Sequence, residues 1–375
     1  MERSGELIRR RGGREYDETD VHLGARGRES RRARTKQRPA HEDAEQARVL
    51  TVDRGRYTCL VAGGPASDSE PTSTASDSEP TSTASDAERI VTAMKARELG
   101  RASIVVGDRV ALVGDTSGAP GSLARVVRVE PRHGTLRRTA DDDDPVERII
   151  VTGVEQLVIV TALAEPEPRP RMVDRCLVAA YDAGIEPLLC LTKADLADPG
   201  PFLEQFAPLG VDAVITSRTR DRRLIGVEAL RDRLLGRDSV LVGHSGVGKS
   251  TLVNALVPQA DRATGSVNEV TGRGRHTSSS AVALRLRDAD GVPDGWVTDT
   301  PGVRSFGLAH VDPERILHAF ADLEPGEAQC PRGCTHDEPD CGLDDFVASG
   351  GAGPAGPARL ASLRRLLRSR QGSDD

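Results

Sequence analysis

The sequence predicts a multidomain protein: a small β-barrel, then an α/β domain built on a parallel sheet, then a small helical segment carrying metal-ligating side chains. Three observations carry this reading. Between residues 47 and 155, short Val/Ile/Thr-rich segments are separated by Gly, Pro and Asp clusters. From about residue 156, strand-like and helix-like segments alternate. Beyond residue 310, a helix is followed by three Cys and one His within twelve residues. At about 150 residues per domain, a chain of this length holds two or three domains.

In the first region the strand-like segments are 49–61, 103–113, 122–129 and 149–160. Several short strands over about 110 residues read as a small barrel, with a β-sandwich as the alternative. A perfect nine-residue repeat, SDSEPTSTA, occupies 67–75 and again 76–84. Rich in Ser, Thr, Pro and acid, it cannot bury a core, so 64–88 is expected to be a disordered insertion in a barrel loop.

In the second region, 157–162, 187–191, 212–216, 239–242, 282–286 and 295–299 read as strands. Helices are expected at 171–183, 227–235 and 249–256. Strands alternating with helices imply a parallel sheet covered on both faces. Near the C-terminus, 312–321 reads as a helix, and the last helix aligns Leu360, Leu363, Leu366 and Leu367 on one face. Its interleaved arginines read as the charged flanks of an ordinary amphipathic helix. The expected domains are thus a basic arm at 1–46, the barrel at 47–155, the α/β domain at 156–309 and the metal-binding segment with its helix at 310–375.

Composition excludes several classes. Net charge is −7, which argues against a uniformly basic nucleic-acid binder. With one Trp, three Tyr and five Phe, the chain has little material for an aromatic stacking platform. No window of 18 apolar residues exists, so no membrane helix is expected. The Arg-rich N-terminus lacks the apolar stretch of a secretory signal, so a cytoplasmic protein is expected; a monomer is expected as well. Residues 26–38 hold seven basic residues against one Glu and read as a flexible arm, either solvated or phosphate-binding. Only four of the 51 basic residues are Lys: Lys36, Lys95, Lys193 and Lys249. In so Arg-biased a chain, a Lys marks a place that Arg cannot fill, and the last two fall in the motifs below.

Gly243-His244-Ser245-Gly246-Val247-Gly248-Lys249-Ser250 fits G-x-x-x-x-G-K-[ST], between an apolar strand and the helical KSTLVNALV. Glycines let the backbone wrap a phosphate closely, and the helix N-terminus adds positive potential. Lys249 is placed to reach the β- and γ-phosphates, Ser250 to ligate Mg²⁺, and Thr251 continues the loop into the helix. Asp299-Thr300-Pro301-Gly302 ends an apolar strand 50 residues after Lys249. A carboxylate there can hold Mg²⁺ through water, and the Gly302 N–H can sense the γ-phosphate. Thr192-Lys193-Ala194-Asp195, at the end of another apolar run, fits the base-reading motif [NT]-K-x-D. Asp195 can accept from guanine N1–H and its exocyclic amine together. Adenine lacks that pair of donors and would leave the carboxylate unpaired. The Lys193 stem can pack on the base plane.

In ordinary GTPases the base-reading motif follows the phosphate loop; here it precedes both other motifs. The predicted α/β domain therefore resembles the circularly permuted P-loop GTPases, a rearrangement tolerated where the original termini lie close together. The segment after DTPG then runs directly into the C-terminal region, so nucleotide state can pass there through a short covalent link.

Cys330, Cys334, His336 and Cys341 form C-x3-C-x-H-x4-C. Three thiolates and an imidazole suit a closed, tetrahedral, structural Zn²⁺ site, one per chain. Cys59, Cys176 and Cys190 stand singly in apolar contexts and read as buried thiols. A segment with so little core should draw much of its folding energy from zinc.

Taken together, VGDRV at 106–110, TKAD at 192–195, GHSGVGKST at 243–251, GRGRHTSS at 272–279 and DTPG at 299–302 make the chain resemble the ribosome small subunit-dependent GTPase A family, over roughly residues 47–345. The resemblance implies that the barrel is an OB-fold contacting ribosomal RNA. It implies GTP hydrolysis to GDP stimulated by the small ribosomal subunit, late in that subunit's maturation, with Mg²⁺ at the nucleotide. It also implies that 272–279 is switch I, in which Thr277 or Ser278 supplies a hydroxyl to Mg²⁺. The family's zinc ligands are spaced C-x4-C-x-H-x5-C, so two gaps here are each one residue shorter. Val303 follows DTPG and has no polar atom with which to orient water. His276 is the candidate within the chain, and a ribosomal group the external one. The competing readings are a P-loop ATPase or kinase and a non-enzymatic RNA-binding scaffold. TKAD argues against the first, and the intact Lys249, Ser250 and Asp299 against the second.

Overall fold

A computed structural model of the protein describes residues 41, 43–62, 88–100, 102–139, 147–258, 281–300, 308 and 311–370. The basic stretch 26–38, the nine-residue repeats, the run 141–144 and the whole of 272–279 lie outside the described residues.

Five strands form a closed barrel: β1 (Glu45–Asp53), β2 (Arg56–Val61), β3 (Arg89–Lys95), β4 (Arg109–Gly114) and β5 (Ala124–Val129). They pair in the order β1-β2-β3-β5-β4, and β4 returns to β1. Only β3–β5 is parallel among these pairs. Closure leaves no sheet edge to aggregate, and five strands joined in this way make an OB-type barrel. Alternate residues point inward: Val49, Tyr57, Cys59, Val91, Ala93, Val110, Leu112, Ala124 and Val126 fill the interior. The segment expected as one strand over 49–61 is two, broken at Arg54-Gly55, where both residues have positive φ. Strand β3 follows the repeat insertion and was not anticipated. Next comes a separate hairpin, β6 (Leu136–Thr139) and β7 (Glu147–Val151), so 149–160 is also two strands rather than one.

The α/β region holds β8 (Gln156–Ala162), α1 (Pro170–Ala183), β9 (Glu186–Thr192), α2 (Gly200–Phe206), β10 (Asp212–Ile215) and a short hairpin, β11 (Ser217–Arg218) with β12 (Leu224–Ile225). Then follow α3 (Val227–Leu234), β13 (Asp238–Val242), α4 (Lys249–Leu256), β14 (Val282–Arg287) and β15 (Pro293–Asp299). The sheet order is β10-β9-β8-β13-β15-β14, parallel throughout except for β14. Every residue of β8 is buried, as a central strand covered on both faces requires. Leu157, Ile159, Leu189 and Val240 pack with α1 and the C-terminal helix; Val158, Val160, Leu188 and Val297 pack with α3 and α4.

Barrel and sheet are continuous, because β14 pairs with β1 at Val282 and Thr51. A polar junction lies beside this pairing. Arg48 of β1 donates from Nη1 to Asp238 Oδ2 at 2.6 Å, and Asp238 is the first residue of β13. The guanidinium carbons of Arg48 and Arg285 each lie 4.7 Å from the ring centroid of Trp296, the protein's single tryptophan.

The C-terminal region contains α5 (Pro313–His318), α6 (Gly342–Ala348) and α7 (Gly356–Arg370). Asp312 caps α5 by accepting from the Glu314 N–H. The leucines of α7 enter the same core as Leu177 and Phe206. Its arginines are not idle flanks. Arg359 pairs with Asp322, Arg364 with Asp344, Arg368 with Asp337, and Arg365 reaches across to Asp174 of α1. Sequence patterning shows the apolar stripe of a helix but not the distant carboxylates that its charges meet.

Candidate active site and metal cluster

The C-terminal ends of β8, β9, β13 and β15 face one crevice, the usual ligand position of an open parallel sheet. Gly243 to Gly248 link β13 to α4. Gly243 has φ +153°, and a Cβ there would lie 2.2 Å from the Val160 carbonyl oxygen, so the loop can hug β8 only without a side chain. Gly248, at φ +105°, precedes the first turn of α4. Its N-terminal N–H groups are thereby directed at the crevice.

Lys249 is buried, and its Nζ donates to the carbonyls of Gly243 and His244. Burial pulls its pKa below the usual lysine range, and Asp299 opposes that pull. The converse holds for Asp299: burial raises its pKa and Lys249 opposes the rise. Asp299 sits beside Leu241 in the β13–β15 register, and the Thr300 hydroxyl donates to the Leu241 carbonyl at 2.7 Å. Asp299 Oδ1 is buried with no hydrogen-bond partner among the described residues. An orphaned, buried carboxylate oxygen beside a phosphate loop suits the water shell of a divalent cation. Ser250 follows Lys249 and is exposed.

The TKAD segment comes to the same crevice. Thr192 donates its hydroxyl proton to the Val247 carbonyl at 2.6 Å, tying the end of β9 to the phosphate loop. Lys193, in a left-handed conformation, donates its Nζ to the Glu165 carbonyl. Asp195 Oδ1 accepts from the backbone N–H of Arg218 at 2.9 Å. Together these segments line a cavity of about 320 Å³, bounded by Lys193, Asp195, Arg218, Gly246, Gly248 and Thr251.

Sequence reasoning missed the wall formed by Ser217, Arg218 and Leu224. The signal was present in outline. A polar Thr-Ser-Arg run leaves β10 at the same sheet end as TKAD leaves β9, and no catalogued spacing marks it. Of the expected site residues, His276, Thr277 and Gly302 lie outside the described residues.

A second cluster lies in the C-terminal region. The donor atoms of Cys330, Cys334, His336 and Cys341 all fall within 4.8 Å of one another. Cys330 Sγ is 3.6 Å from His336 Nδ1 and 3.9 Å from Cys341 Sγ, and Cys341 Sγ is 4.0 Å from that nitrogen. A zinc tetrahedron with bonds of roughly 2.0–2.3 Å has edges of about 3.5–3.8 Å, close to the separations among Cys330, His336 and Cys341. The backbone at the cluster is tight. His336 takes φ +68°, and Gly342 lets the chain pass so close to Gln329 that a Cβ would lie 2.4 Å from its carbonyl carbon. Arg364 of α7 donates to the His336 carbonyl at 3.0 Å, linking the cluster to the helix that docks on α1.

These features define a class: a P-loop GTPase domain of permuted strand order, between an OB-type barrel and a Cys₃His segment. Known proteins resolve the class to a family. The RsgA GTPase family matches residues 129–309. A small ribosomal subunit biogenesis GTPase RsgA from Gemmatimonas aurantiaca is 33% identical over 74% of this chain and 89% of its own length. One from Pseudomonas aeruginosa is 38% identical over 72% and 77%, respectively. Among solved structures, YjeQ from Thermotoga maritima aligns with a TM-score of 0.56 at 23% identity, over 88% of this chain and 99% of that one. YloQ, described as a circularly permuted GTPase, aligns with a TM-score of 0.55 at 19% identity, over 90% of this chain and all of that one. The chain belongs to the RsgA GTPase family.

Proposed function

We propose that this protein hydrolyses GTP to GDP and phosphate on the maturing small ribosomal subunit, and that the subunit stimulates the reaction. The observation that carries the reading is the bond from Thr192 to the Val247 carbonyl, which holds a guanine-selective carboxylate and a phosphate cradle on one cavity despite their rotated order in the chain. The names of the relatives supply the ribosomal context.

In this reading the loop amides and Lys249 neutralise the β- and γ-phosphates as charge builds on the leaving oxygen. Lys249 exchanges its present carbonyl partners for phosphate oxygens, which also ends the unfavourable burial of its charge. Ser250 and Asp299 would hold Mg²⁺, together with a switch I hydroxyl from Thr277 or Ser278. The ion would supply charge neutralisation at the phosphates. Gly302 senses the γ-phosphate, Asp195 selects guanine, and Lys193 supports the base plane. His276, or a group on the ribosome, orients the attacking water because Val303 cannot. Cys330, Cys334, His336 and Cys341 would hold one structural Zn²⁺. Ribosomal RNA is the partner of the barrel, and the protein works as a cytoplasmic monomer. Among the described residues no helix is long and apolar enough to cross a membrane.

The test is GTP turnover with and without purified small subunits. Slow intrinsic hydrolysis that accelerates on the subunit is expected. Fast turnover indifferent to the subunit would refute the stimulation, and binding ADP as tightly as GDP would refute the guanine assignment.

A further inference from the structure

Guanine shows two chemically opposite edges. N1–H and the exocyclic amine donate; O6 and N7 accept. Asp195 answers the donors. The acceptors need donors in turn, because a base buried with unmatched acceptors loses part of its binding energy.

Three of the side chains that could donate into the 320 Å³ cavity, those of Thr192, Lys193 and Thr216, are already engaged. The single hydroxyl proton of Thr192 is spent on Val247. Lys193 Nζ is bound to the Glu165 carbonyl. The hydroxyls of Ser217 and Thr251 can each supply one proton, to one acceptor. Arg218 differs. Its backbone N–H fixes Asp195 Oδ1 at 2.9 Å, so its side chain starts beside the group that receives N1–H. Its guanidinium crosses toward the first turn of α4, where Nη2 lies 3.3 Å from Thr251 Oγ1. In guanine, O6 is bonded to the carbon next to N1. A base seated on Asp195 by N1–H and the exocyclic amine leaves O6 just beyond N1, and Arg218 is the arginine on this cavity wall. A guanidinium is a planar fork of parallel donors, and its bidentate match to O6 and N7 is the commonest specific arginine–guanine contact.

We propose that Arg218 reads the acceptor edge of the base, with its guanidinium donating to O6 and N7 while its own backbone N–H orients Asp195 for the donor edge. One residue then serves both halves of guanine selection. The proposal rests on the GTPase reading and adds a specificity residue to it.

The test compares GDP, 7-deaza-GDP (which lacks the N7 acceptor) and inosine diphosphate (which lacks the exocyclic amine) by calorimetry on the full chain, Arg218→Met and Arg218→Lys. The wild type should prefer GDP over 7-deaza-GDP by roughly tenfold. Arg218→Met should bind the two alike, while its preference for GDP over inosine diphosphate, which belongs to Asp195, stays at the wild-type value. Arg218→Lys keeps the charge but not the fork, and should fall between. Two results would overturn the assignment: an undiminished N7 preference in Arg218→Met, or equal loss of both preferences. A guanine-selective wild type indifferent to N7 would overturn this proposal and leave the GTPase reading standing. A wild type that binds ADP like GDP would overturn both.

Discussion

Replacing Arg48 with methionine cuts the charged tie between β1 of the barrel and the start of β13 while retaining much of the side-chain bulk over Trp296. The side chains of Arg48 and Asp238 are only 14% and 19% exposed, so the pair is poorly screened. A charge-assisted hydrogen bond in such a setting contributes about 1.5–3 kcal/mol, and stacking on Trp about 0.5–2 kcal/mol. Against these stands Arg48 Nε, which is buried without a partner among the described residues and already bears a desolvation cost. Methionine removes that cost but strands Asp238, for a net destabilisation of about 2 kcal/mol. The assay is urea unfolding followed by the fluorescence of Trp296, which lies in the junction and is the protein's single tryptophan. A cycle with Asp238→Asn should give a coupling of about 1 kcal/mol or more. A change in Arg48→Met within about 0.5 kcal/mol of zero, the range of ordinary surface substitutions, would refute the junction as a structural tie. So would strict additivity with Asp238→Asn.

Lys249→Ala should abolish GTP hydrolysis, measured by phosphate release, while moving the urea midpoint little, since it removes an unfavourably buried ammonium but leaves buried Asp299 without its opposing charge. Metal analysis should find one zinc per chain, and Cys334→Ser should lower that content and loosen the α6–α7 region in hydrogen exchange. Asp174 is buried against Arg365, and burial raises its carboxyl to a pKa of about 6, with Arg365 opposing. The folded pKa lies above the unfolded one, so the folded state binds the extra proton and stability falls as pH rises from about 4 to about 6. The stability of Asp174→Asn relative to the wild type should therefore increase by about 2–3 kcal/mol between pH 4 and pH 7, read from paired urea midpoints, and a difference independent of pH would contradict this.

How much was legible in the sequence depended on distance along the chain. The phosphate loop, TKAD and the Cys/His cluster are each contiguous within twelve residues, and their flanking strands and helix carry strong apolar patterns. Permutation was legible for the same reason, since motif order survives any folding. Strand β3 was not, because it follows the repeat and contains exposed Ile90 and Met94 beside buried Val91 and Ala93, which blurs alternation. The closing pair β1–β4 joins residues more than 60 positions apart, and no local pattern announces it. The arginines of α7 misled for a related reason: Arg365 and Asp174 are 191 residues apart, so the helix alone looks like a charged surface. Arg218 belongs to no spacing rule, and only the parallel register of β9 and β10 brings it to Asp195.

The rotated order has a structural consequence that an unrotated chain would not share. Strand β14 begins just after the segment expected to be switch I, and its first residue, Val282, is the one paired with Thr51 of the barrel. Its Arg285 lies opposite Trp296, three residues before Asp299 on β15. Arg48 then carries the contact from Trp296 to Asp238, at the root of the strand that ends in the phosphate loop. The barrel is thus joined at one junction to all three strands adjoining the phosphate loop, DTPG and the switch segment. Sheets are stiff along their strands, so a shift of β14 at the nucleotide end has to be met either by bending at Val282 or by movement of β1. The Thr51–Val282 pairing passes such a shift to β1, while the Arg48–Asp238 bond anchors β1 to the start of β13. A force on the barrel and a change at the nucleotide end of the sheet therefore act on the same few residues, which is the physical requirement for each to bias the other.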